Sequence, residues 1–199
     1  MEKKLILVAS PPASGKTYVS GKLAEALGQV ACVDKDDLCH LLRAGFAAAG
    51  EEVDMDGAFY GEKLRSAEYA TLLHLAFSLL QHEKYVLVSA PFGKELRDTA
   101  YIRGLKQQAN TLGAELLVLW VWAPPTLCRQ RMAQRASDRD TRKLQDWDSY
   151  AQKINYTPPY ELKNADAVDH FMVIDNRDAD SLERSLNGAI LLIQGEEAF

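Results

Sequence analysis

The stretch that decides the fold is Ser10-Pro11-Pro12-Ala13-Ser14-Gly15-Lys16-Thr17. The apolar run Leu5–Ala9 precedes it, and a segment with apolar residues at helical spacing follows it and closes at Gly28. A buried strand, a turn of small residues ending in Gly-Lys-Thr and a helix are the layout of a phosphate-binding P-loop. In such a turn the backbone N–H groups point inward, and the new helix adds unpaired N–H groups and the positive end of its dipole.

Each residue of this turn has a predicted task. Lys16 is expected to reach the β- and γ-phosphates of a nucleotide, and the Thr17 hydroxyl is expected to hold Mg²⁺. Gly15 allows the backbone to approach a phosphate closely. Because Ser10 replaces the usual first glycine and the two following prolines lack an N–H, the cradle must come from the amides of residues 13–18. The predicted nucleotide-binding residues here are Ala13, Ser14, Gly15, Lys16, Thr17 and Tyr18.

Length and composition indicate an ordinary water-soluble domain. The 199 residues are 47% apolar and 26% charged, which predicts one domain spanning residues 1–199. A net charge of −5 argues against a general nucleic-acid or acidic-membrane surface, and no apolar run approaches the ~18 residues of a membrane span. The three cysteines, Cys32, Cys39 and Cys128, have no metal-ligand spacing, so we expect reduced thiols and a cytoplasmic location.

The rest of the chain alternates short apolar runs with helical patterns. Strands are predicted at Val30–Val33, Tyr85–Ala90, Leu116–Val121 and Phe171–Asp175, after the first one at Leu5–Ala9. About five β-α repeats require right-handed crossovers and a parallel sheet, with ligands at the carboxyl ends of its strands.

Four segments carry more specific predictions. Residues 44–59 are interpreted as a loop or a short helical excursion, and Tyr60–Glu83 as one long helix. Another helix is predicted over Glu95–Leu112, and Asp180 with Glu183 is interpreted as a capping box for the last helix.

Acidic residues follow the second strand, beside the P-loop. Asp36 is the predicted catalytic base, because a kinase needs a carboxylate to orient or deprotonate the acceptor hydroxyl, and it is also a candidate for holding Mg²⁺ through water. Asp34 and Asp37 are rivals for the role of base, and Asp37 is alternatively a helix cap. Ser89 ends the third strand, where many P-loop proteins place a metal-holding Asp.

A cluster of basic residues predicts a lid over approximately residues 129–146. Arginine suits phosphate because its planar fork donates several hydrogen bonds, and a mobile lid would exclude water and stabilise the transferring phosphoryl group. A solvated charged surface is the alternative. Arg135 and Arg139 are the predicted catalytic arginines; Arg131, Arg135 and Arg142 are predicted to bind the nucleotide. The whole cluster is Arg129, Arg131, Arg135, Arg139, Arg142 and Lys143.

These motifs resemble the P-loop kinase superfamily, and in particular its nucleoside-monophosphate-kinase-like enzymes. Within it the sequence is similar to the group that contains polynucleotide 5′-hydroxyl kinases, zeta toxins and bacterial AAA-labelled ATP-binding proteins. The resemblance rests on Pro11–Thr17, on Asp34–Leu38 and on the arginine-rich segment ending at Arg139-Asp140. It implies a three-layer α/β sandwich with a parallel five-stranded sheet in the order 2-3-1-4-5, helices on both faces and a lid. It also implies ATP with Mg²⁺, phosphoryl transfer, and the role of base for Asp36.

The function expected from the sequence is therefore an ATP-dependent phosphotransferase. It would move the γ-phosphoryl group of ATP to a hydroxyl or phosphate of a small molecule whose identity the sequence does not encode. Two alternatives stay open at this point. One is a kinase of a macromolecular or nucleotide-sugar acceptor, such as a polynucleotide 5′-hydroxyl, and the other is a regulatory module that binds ATP without transferring phosphate.

Overall fold

A five-stranded parallel sheet forms the centre of the protein, in a computed structural model that describes residues 3–195 without the side chains of Asp138 and Arg139. The strands are β1 (Lys3–Ala9), β2 (Ala31–Asp34), β3 (Tyr85–Ser89), β4 (Ala114–Trp122) and β5 (His170–Asp175). Their order is β2-β3-β1-β4-β5, and all four pairings are parallel. The predicted 2-3-1-4-5 sheet is confirmed.

Nine helices in the described part connect and cover these strands. They are α1 (Lys16–Leu27), α2 (Cys39–Ala49), α3 (Arg65–Leu80), α4 (Thr99–Thr111), α5 (Pro125–Arg135), α6 (Asp138–Gln145), α7 (Trp147–Lys153), α8 (Glu161–Asn164) and α9 (Ala179–Gln194). Short 3₁₀ turns at Lys35–Leu38 and Glu95–Arg97 and a π-helical turn at Tyr60–Leu64 complete the regular structure. None of these helices combines the length and the apolar character that crossing a membrane would require.

The sheet is covered on both faces, and the central strands β1, β3 and β4 are accordingly apolar through most of their length. Alternate side chains of β1 enter two separate cores: Leu5 and Leu7 lie in one, and Ile6 and Val8 in the other. The first core includes residues of α3 and α4, and the second includes residues of α1 and α9. This arrangement is the predicted three-layer sandwich, and it leaves the carboxyl ends of the strands free to build a site.

Local structure adds detail to the sequence-based expectations in three places. Residues 39–49 form a helix that ends at Gly50, so the segment predicted as a loop or a short helical excursion is helical over residues 44–49. The charged stretch after α5 also folds as a helix, α6. Helix α4 starts at Thr99 rather than Glu95, because Asp98 accepts a hydrogen bond from the Tyr101 amide and ends the preceding 3₁₀ turn.

The predicted capping box at Asp180 is wrong. The N-cap of α9 is Asp178, whose carboxylate accepts a hydrogen bond from the Ser181 amide at 2.7 Å. Two acidic residues two positions apart offered alternative caps. The extended backbone of Asp178 makes it the residue that can cap, because a cap lies outside the helical region of backbone angles.

Candidate active site

The turn after β1 presents the backbone groups expected of a phosphate cradle. Helix α1 starts at Lys16, and its N-cap, Gly15, has φ +98° and makes no side-chain cap. The first four N–H groups of a helix have no partner within it. Ala13 also has a positive φ, +63°, which reverses the chain before the helix begins. The N–H groups at the start of α1 therefore have no partner within the helix, and their binding to a phosphate stays a prediction.

Asn176, directly after β5, holds this turn in place. Its side-chain amide donates a hydrogen bond to the Ser14 carbonyl at 2.7 Å. The Arg131 guanidinium donates to the same carbonyl at 3.2 Å and to the Asn176 carbonyl at 3.1 Å. Asn176 and Ser14 are both buried. Arg131, predicted to contact nucleotide, is therefore engaged with the backbone of the turn in this structure.

Gly15 is required here by space as well as by backbone angle. A Cβ built on Gly15 would lie 2.1 Å from Nδ2 of Asn176, which is far inside contact distance. A side chain at this position would also meet an unfavourable φ of +98°. The glycine of the motif is thus explained by a contact with a residue more than 160 positions later in the chain.

Lys16 lies beside the ends of β2 and β3. Its ammonium donates a hydrogen bond to Ser89 Oγ at 2.5 Å, and Ser89 Oγ donates to Asp34 Oδ2 at 2.7 Å. The distance from Lys16 Nζ to Asp34 Oδ2 is 3.7 Å. Asp34 and Ser89 are paired neighbours in the parallel register of β2 and β3. The carboxylate beside the P-loop lysine thus comes from β2, while β3 contributes a hydroxyl.

Burial controls the protonation of Lys16. Desolvation lowers the pKa of the Lys16 ammonium, and the negative charges of Asp34 and Asp36 partly offset that effect. The carboxylates therefore help to keep the lysine charged, which is the form that binds phosphate.

Asp36 lies in the 3₁₀ turn after β2 and is exposed. Its amide donates a hydrogen bond to Asp34 Oδ1 at 2.9 Å, so Asp34 caps the turn. The Asp36 carboxylate raises the pKa of Lys16, and it also adds to the rise in the pKa of Arg135 that is caused chiefly by Asp140. Asp36 therefore lies within electrostatic reach of both the P-loop lysine and α5. The alternative role of Asp37 as a helix cap does not hold, because the N-cap of α2 is Leu38.

The predicted lid arginines are held by carboxylates in this structure. Arg135 forms a two-pronged ion pair with Asp140, whose side chain is 1% exposed. Arg142 contacts Asp54 at 3.3 Å, an exposed pair that links α6 to the turn before α3. The side chain of Arg139 lies outside the described residues. For Arg135 and Arg142, contact with phosphate remains a prediction.

The donor groups here fit a hard cation such as Mg²⁺, which prefers oxygen ligands and keeps several waters. Thr17 is exposed in the first turn of α1, and the Asp34 carboxylate lies beside the neighbouring lysine. Tyr18, predicted from its backbone amide, has a side chain that is 58% exposed. Within residues 3–195 no group of three or more His, Cys, Asp or Glu side chains forms a dedicated metal cage.

Beside Asp36 lies a set of paired charges that the sequence analysis did not detect. Lys35 contacts the buried Glu68 at 2.8 Å, and Glu68 also accepts a hydrogen bond from the Tyr60 hydroxyl. Arg65 forms a two-pronged ion pair with Glu95, with one contact at 2.9 Å. We call these five residues the paired wall. Their partners are separated by some 30 residues in the chain, so no local motif signals them.

Several solved structures that resemble this chain are described as kinases. They include a candidate kinase from Chloroflexus aurantiacus, with TM-score 0.65, 16% identity and 100% of both chains covered. They also include a sugar kinase from Janibacter sp. HTCC2649, with TM-score 0.60, 14% identity, and 98% and 99% of the two chains covered. The APS kinase of Mycobacterium tuberculosis, solved with AMPPNP and APS, has TM-score 0.57, 19% identity, and coverage of 96% and 98%. At these identities the likeness shows the fold alone: the chain shares the fold of these kinases, with the sheet order that its resemblance to P-loop kinases implies.

A family model described as an AAA domain, AAA_33, matches residues 5–159. This chain belongs to that family. The match spans the P-loop, the acidic turn and the predicted lid, which are the three segments that carried the resemblance in the sequence. A search among curated proteins finds no match.

Proposed function

We propose that this protein is an ATP-dependent kinase that transfers the γ-phosphoryl group of ATP to a small molecule. The observation that carries the proposal is the Lys16 ammonium 3.7 Å from the Asp34 carboxylate, at the start of α1, with Asp36 next to it. Phosphoryl transfer depends on positioning and on charge stabilisation, and this arrangement offers both a phosphate-binding cation and a carboxylate for the acceptor.

The phosphate end of the reaction is assigned to the turn and to α1. The amides of residues 13–18 and the Lys16 ammonium would hold the β- and γ-phosphates. Lys16 would leave its hydrogen bond with Ser89 for a phosphate oxygen, and the nearby Asp34 would keep it charged. Thr17 would hold Mg²⁺ together with Asp36 or Asp34, directly or through water, and the ion would neutralise phosphate charge when bound.

Asp36 is the proposed base, since it is exposed in the turn after β2, whereas the side chain of Asp34 is 29% exposed beside Lys16. Both oxygens of Asp34 already accept hydrogen bonds, from the Asp36 amide and from Ser89. Asp36 is exposed on the side of the turn that interacts electrostatically with Lys16 and Arg135. It would accept a hydrogen bond from the acceptor hydroxyl and take its proton as the bond to phosphorus forms.

Closure over the nucleotide is assigned to α5 and α6, the lid of approximately residues 129–146. Arg135 would exchange Asp140 for phosphate oxygens, and Arg139 and Arg142 would add further positive charge. Arg142 is well suited to move because its pair with Asp54 is solvent-exposed and therefore weak. Arg131 would steady the turn through Ser14 while the lid closes.

The proposal is tested by turnover in the presence of Mg·ATP. Pools of small metabolites are screened for ADP release. Lys16→Ala is expected to lower the rate at least 100-fold, since it removes a charge that stabilises the transferring group. Lys22→Ala, on the exposed face of the same helix, is the matched control and should keep full activity.

Asp36→Asn separates a kinase from a regulatory ATP-binding module. It is expected to abolish phosphorylation while calorimetry still records ATP binding. Full turnover in Asp36→Asn would contradict the assignment of Asp36 as the base. The absence of any heat with Mg·ATP in the wild type would refute the proposal as a whole.

A further inference from the structure

The peptide that joins Ser14 to Gly15 is held through its carbonyl oxygen. This oxygen accepts two hydrogen bonds, one from the Asn176 side-chain amide at 2.7 Å and one from the Arg131 guanidinium at 3.2 Å. A carbonyl oxygen has two lone pairs, so both of them are in use. The Ser14 carbonyl is therefore fixed in direction, toward Asn176 and Arg131.

The N–H group of the same peptide, that of Gly15, points the opposite way. The peptide is trans, and in a planar trans peptide the C=O and N–H bonds are antiparallel. No group within residues 3–195 accepts a hydrogen bond from the Gly15 amide, whereas the Ser14 amide donates to the Pro11 carbonyl at 3.4 Å. The direction of the Gly15 donor is thus set by the hydrogen bonds that the Ser14 carbonyl accepts.

Asn176 and Arg131 also hold each other. A second guanidinium nitrogen of Arg131 donates to the Asn176 backbone carbonyl at 3.1 Å and to its Oδ1 at 3.3 Å. The backbone N–H of Asn176 donates to the Trp122 carbonyl at 2.8 Å, which anchors Asn176 to the end of β4. One guanidinium can contact two residues at once because its N–H groups form a rigid planar fork. We call Asn176 and Arg131 the carbonyl bracket.

The carbonyl bracket connects three segments that are far apart in the chain. Arg131 comes from α5, Asn176 from the end of β5, and Ser14 from the turn before α1. Ser14 is 0% exposed and Asn176 is 6% exposed, so water has little access to replace a hydrogen bond that is lost. A buried carbonyl without its donors is costly, which favours one fixed orientation of the peptide.

We propose that Asn176 and Arg131 are positioning residues that aim the Gly15 amide at a phosphate of the nucleotide. This inference rests on the proposed kinase activity and deepens it, because Arg131 acts through the Ser14 carbonyl in place of a direct contact with the nucleotide. Hydrogen bonds to a peptide carbonyl also polarise the peptide and strengthen its N–H as a donor. A donor that is already aimed needs no reorganisation when charge develops on the transferring group.

The test compares a nucleotide with its phosphate chain alone. Calorimetry measures the affinity of each variant for Mg·AMPPNP and for Mg·tripolyphosphate. Asn176→Ala, which changes no charge, and Arg131→Ala are each expected to weaken both ligands at least ~5-fold, and each to nearly the same extent for the two ligands. A loss with Mg·AMPPNP alone would assign these residues to the base or ribose and overturn the inference. Unchanged affinity for both ligands would also overturn it.

Arg177→Ala is the matched control for charge. Arg177 follows Asn176 directly, and its guanidinium is paired with Asp175. The substitution removes one positive charge, as Arg131→Ala does, and should change both affinities less than ~2-fold because this side chain is exposed and screened by salt. A loss as large as that in Arg131→Ala would show that net charge is responsible and would overturn the role of Arg131.

Two further variants separate the carbonyl bracket from a point charge. Arg131→Lys keeps the charge but lacks the planar fork, so it should recover only part of the affinity that Arg131→Ala loses. Full recovery would contradict the carbonyl bracket. Because Arg131 orients Asn176, the double variant Arg131→Ala/Asn176→Ala should weaken Mg·tripolyphosphate by less than the product of the two single losses. A loss equal to that product would indicate two independent contacts and overturn the inference.

Failure of the proposed function and failure of the carbonyl bracket give different results. A wild type that binds neither ligand would refute the phosphate cradle, and with it both proposals. A wild type that binds both ligands, with variants that bind them equally well, would refute the carbonyl bracket alone. In the unliganded protein, the carbonyl carbon resonance of Ser14 reports the hydrogen bonds that this carbonyl accepts. It should move in Asn176→Ala and in Arg131→Lys and stay in place in Arg177→Ala, and an unmoved resonance in the first two would overturn the inference.

Discussion

The phosphate cradle and the paired wall lie on neighbouring strand ends but are built in different ways. The cradle uses backbone N–H groups and one lysine from consecutive residues, so a short motif encodes it. The wall uses side chains that meet only after α3 and the segment following β3 have packed together. In the wall each charge already has a protein partner, so we expect changes there to alter the stability of the fold. Changes in the cradle are expected to alter phosphate binding as well.

Removing one charge from the wall is expected to have the largest effect on stability. Glu68→Gln leaves Lys35 without its buried partner and should lower the free energy of unfolding by roughly 3 kcal/mol, since breaking a buried pair strands a charge. Urea denaturation measures the change. Glu62→Gln, an exposed carboxylate in the turn before α3, should change stability by less than ~0.5 kcal/mol. Equal effects of the two substitutions would show that the wall is not a packed unit.

The cradle should be broken by a single methyl group. Gly15→Ala places a Cβ against the Asn176 amide at a φ of +98°, and we expect a loss of about 1–3 kcal/mol in unfolding free energy together with weaker binding of Mg·ATP. Gly21→Ala is the matched control in the same helix. A Cβ there meets nothing within 4 Å, so this change should stabilise α1 by roughly 0.5–1 kcal/mol.

The contribution of Asn176 to the cradle can be separated from that of the backbone. Asn176→Ala removes the hydrogen bond to Ser14 and is expected to cost about 1 kcal/mol. In the double variant with Gly15→Ala the steric clash is gone but the unfavourable φ remains. The double variant should therefore lose less unfolding free energy than the sum of the losses in the two single variants. Strict additivity would contradict the close contact between these residues.

The smallest expected effect is a shift in pH dependence. Burial lowers the pKa of Lys16 below its ordinary value of 10.5. The affinity for Mg·ATP should therefore fall as the pH rises toward that lowered pKa, because the lysine loses its charge. Asp34→Asn removes the strongest opposing influence, so the fall should begin at a lower pH than in wild type. Calorimetry across a pH series measures both curves. Coincident curves for the wild type and Asp34→Asn would show that Asp34 does not influence the pKa of Lys16.

The lowered pKa of Lys16 also predicts how the free energy of unfolding changes with pH. A pKa lower in the folded than in the unfolded chain means that the charged lysine opposes folding. The contribution of Lys16 to the free energy of unfolding should therefore rise as pH increases from its folded-state value toward 10.5. Lys16→Met should remove this part of the pH dependence.

Much of the fold could be predicted because its signals are local. The apolar runs indicate the strands, the Gly-Lys-Thr turn indicates the first β-α unit, and the resemblance to P-loop kinases supplies the order of the parallel sheet. An error arose where two local signals competed, at Asp178 and Asp180, and the alanine-rich stretch that begins at residue 44 was left open between loop and helix, of which α2 takes the helix. In each case packing and backbone geometry decided between options of similar local energy.

The sequence by itself determined the parallel sheet, the phosphate cradle and the acidic turn, because strand periodicity and the P-loop motif act through neighbouring residues. Only the tertiary structure decided that Asn176 meets Gly15, that Asp34 lies beside Lys16, and that Lys35 and Arg65 are matched with Glu68 and Glu95. These contacts join residues from about 20 to more than 160 positions apart, and they depend on which helix packs against which strand end. Long-range pairing of side chains has no local signature. The sequence therefore indicates a nucleotide as the phosphate donor, whereas the surroundings of an acceptor depend on how the helices pack at the strand ends.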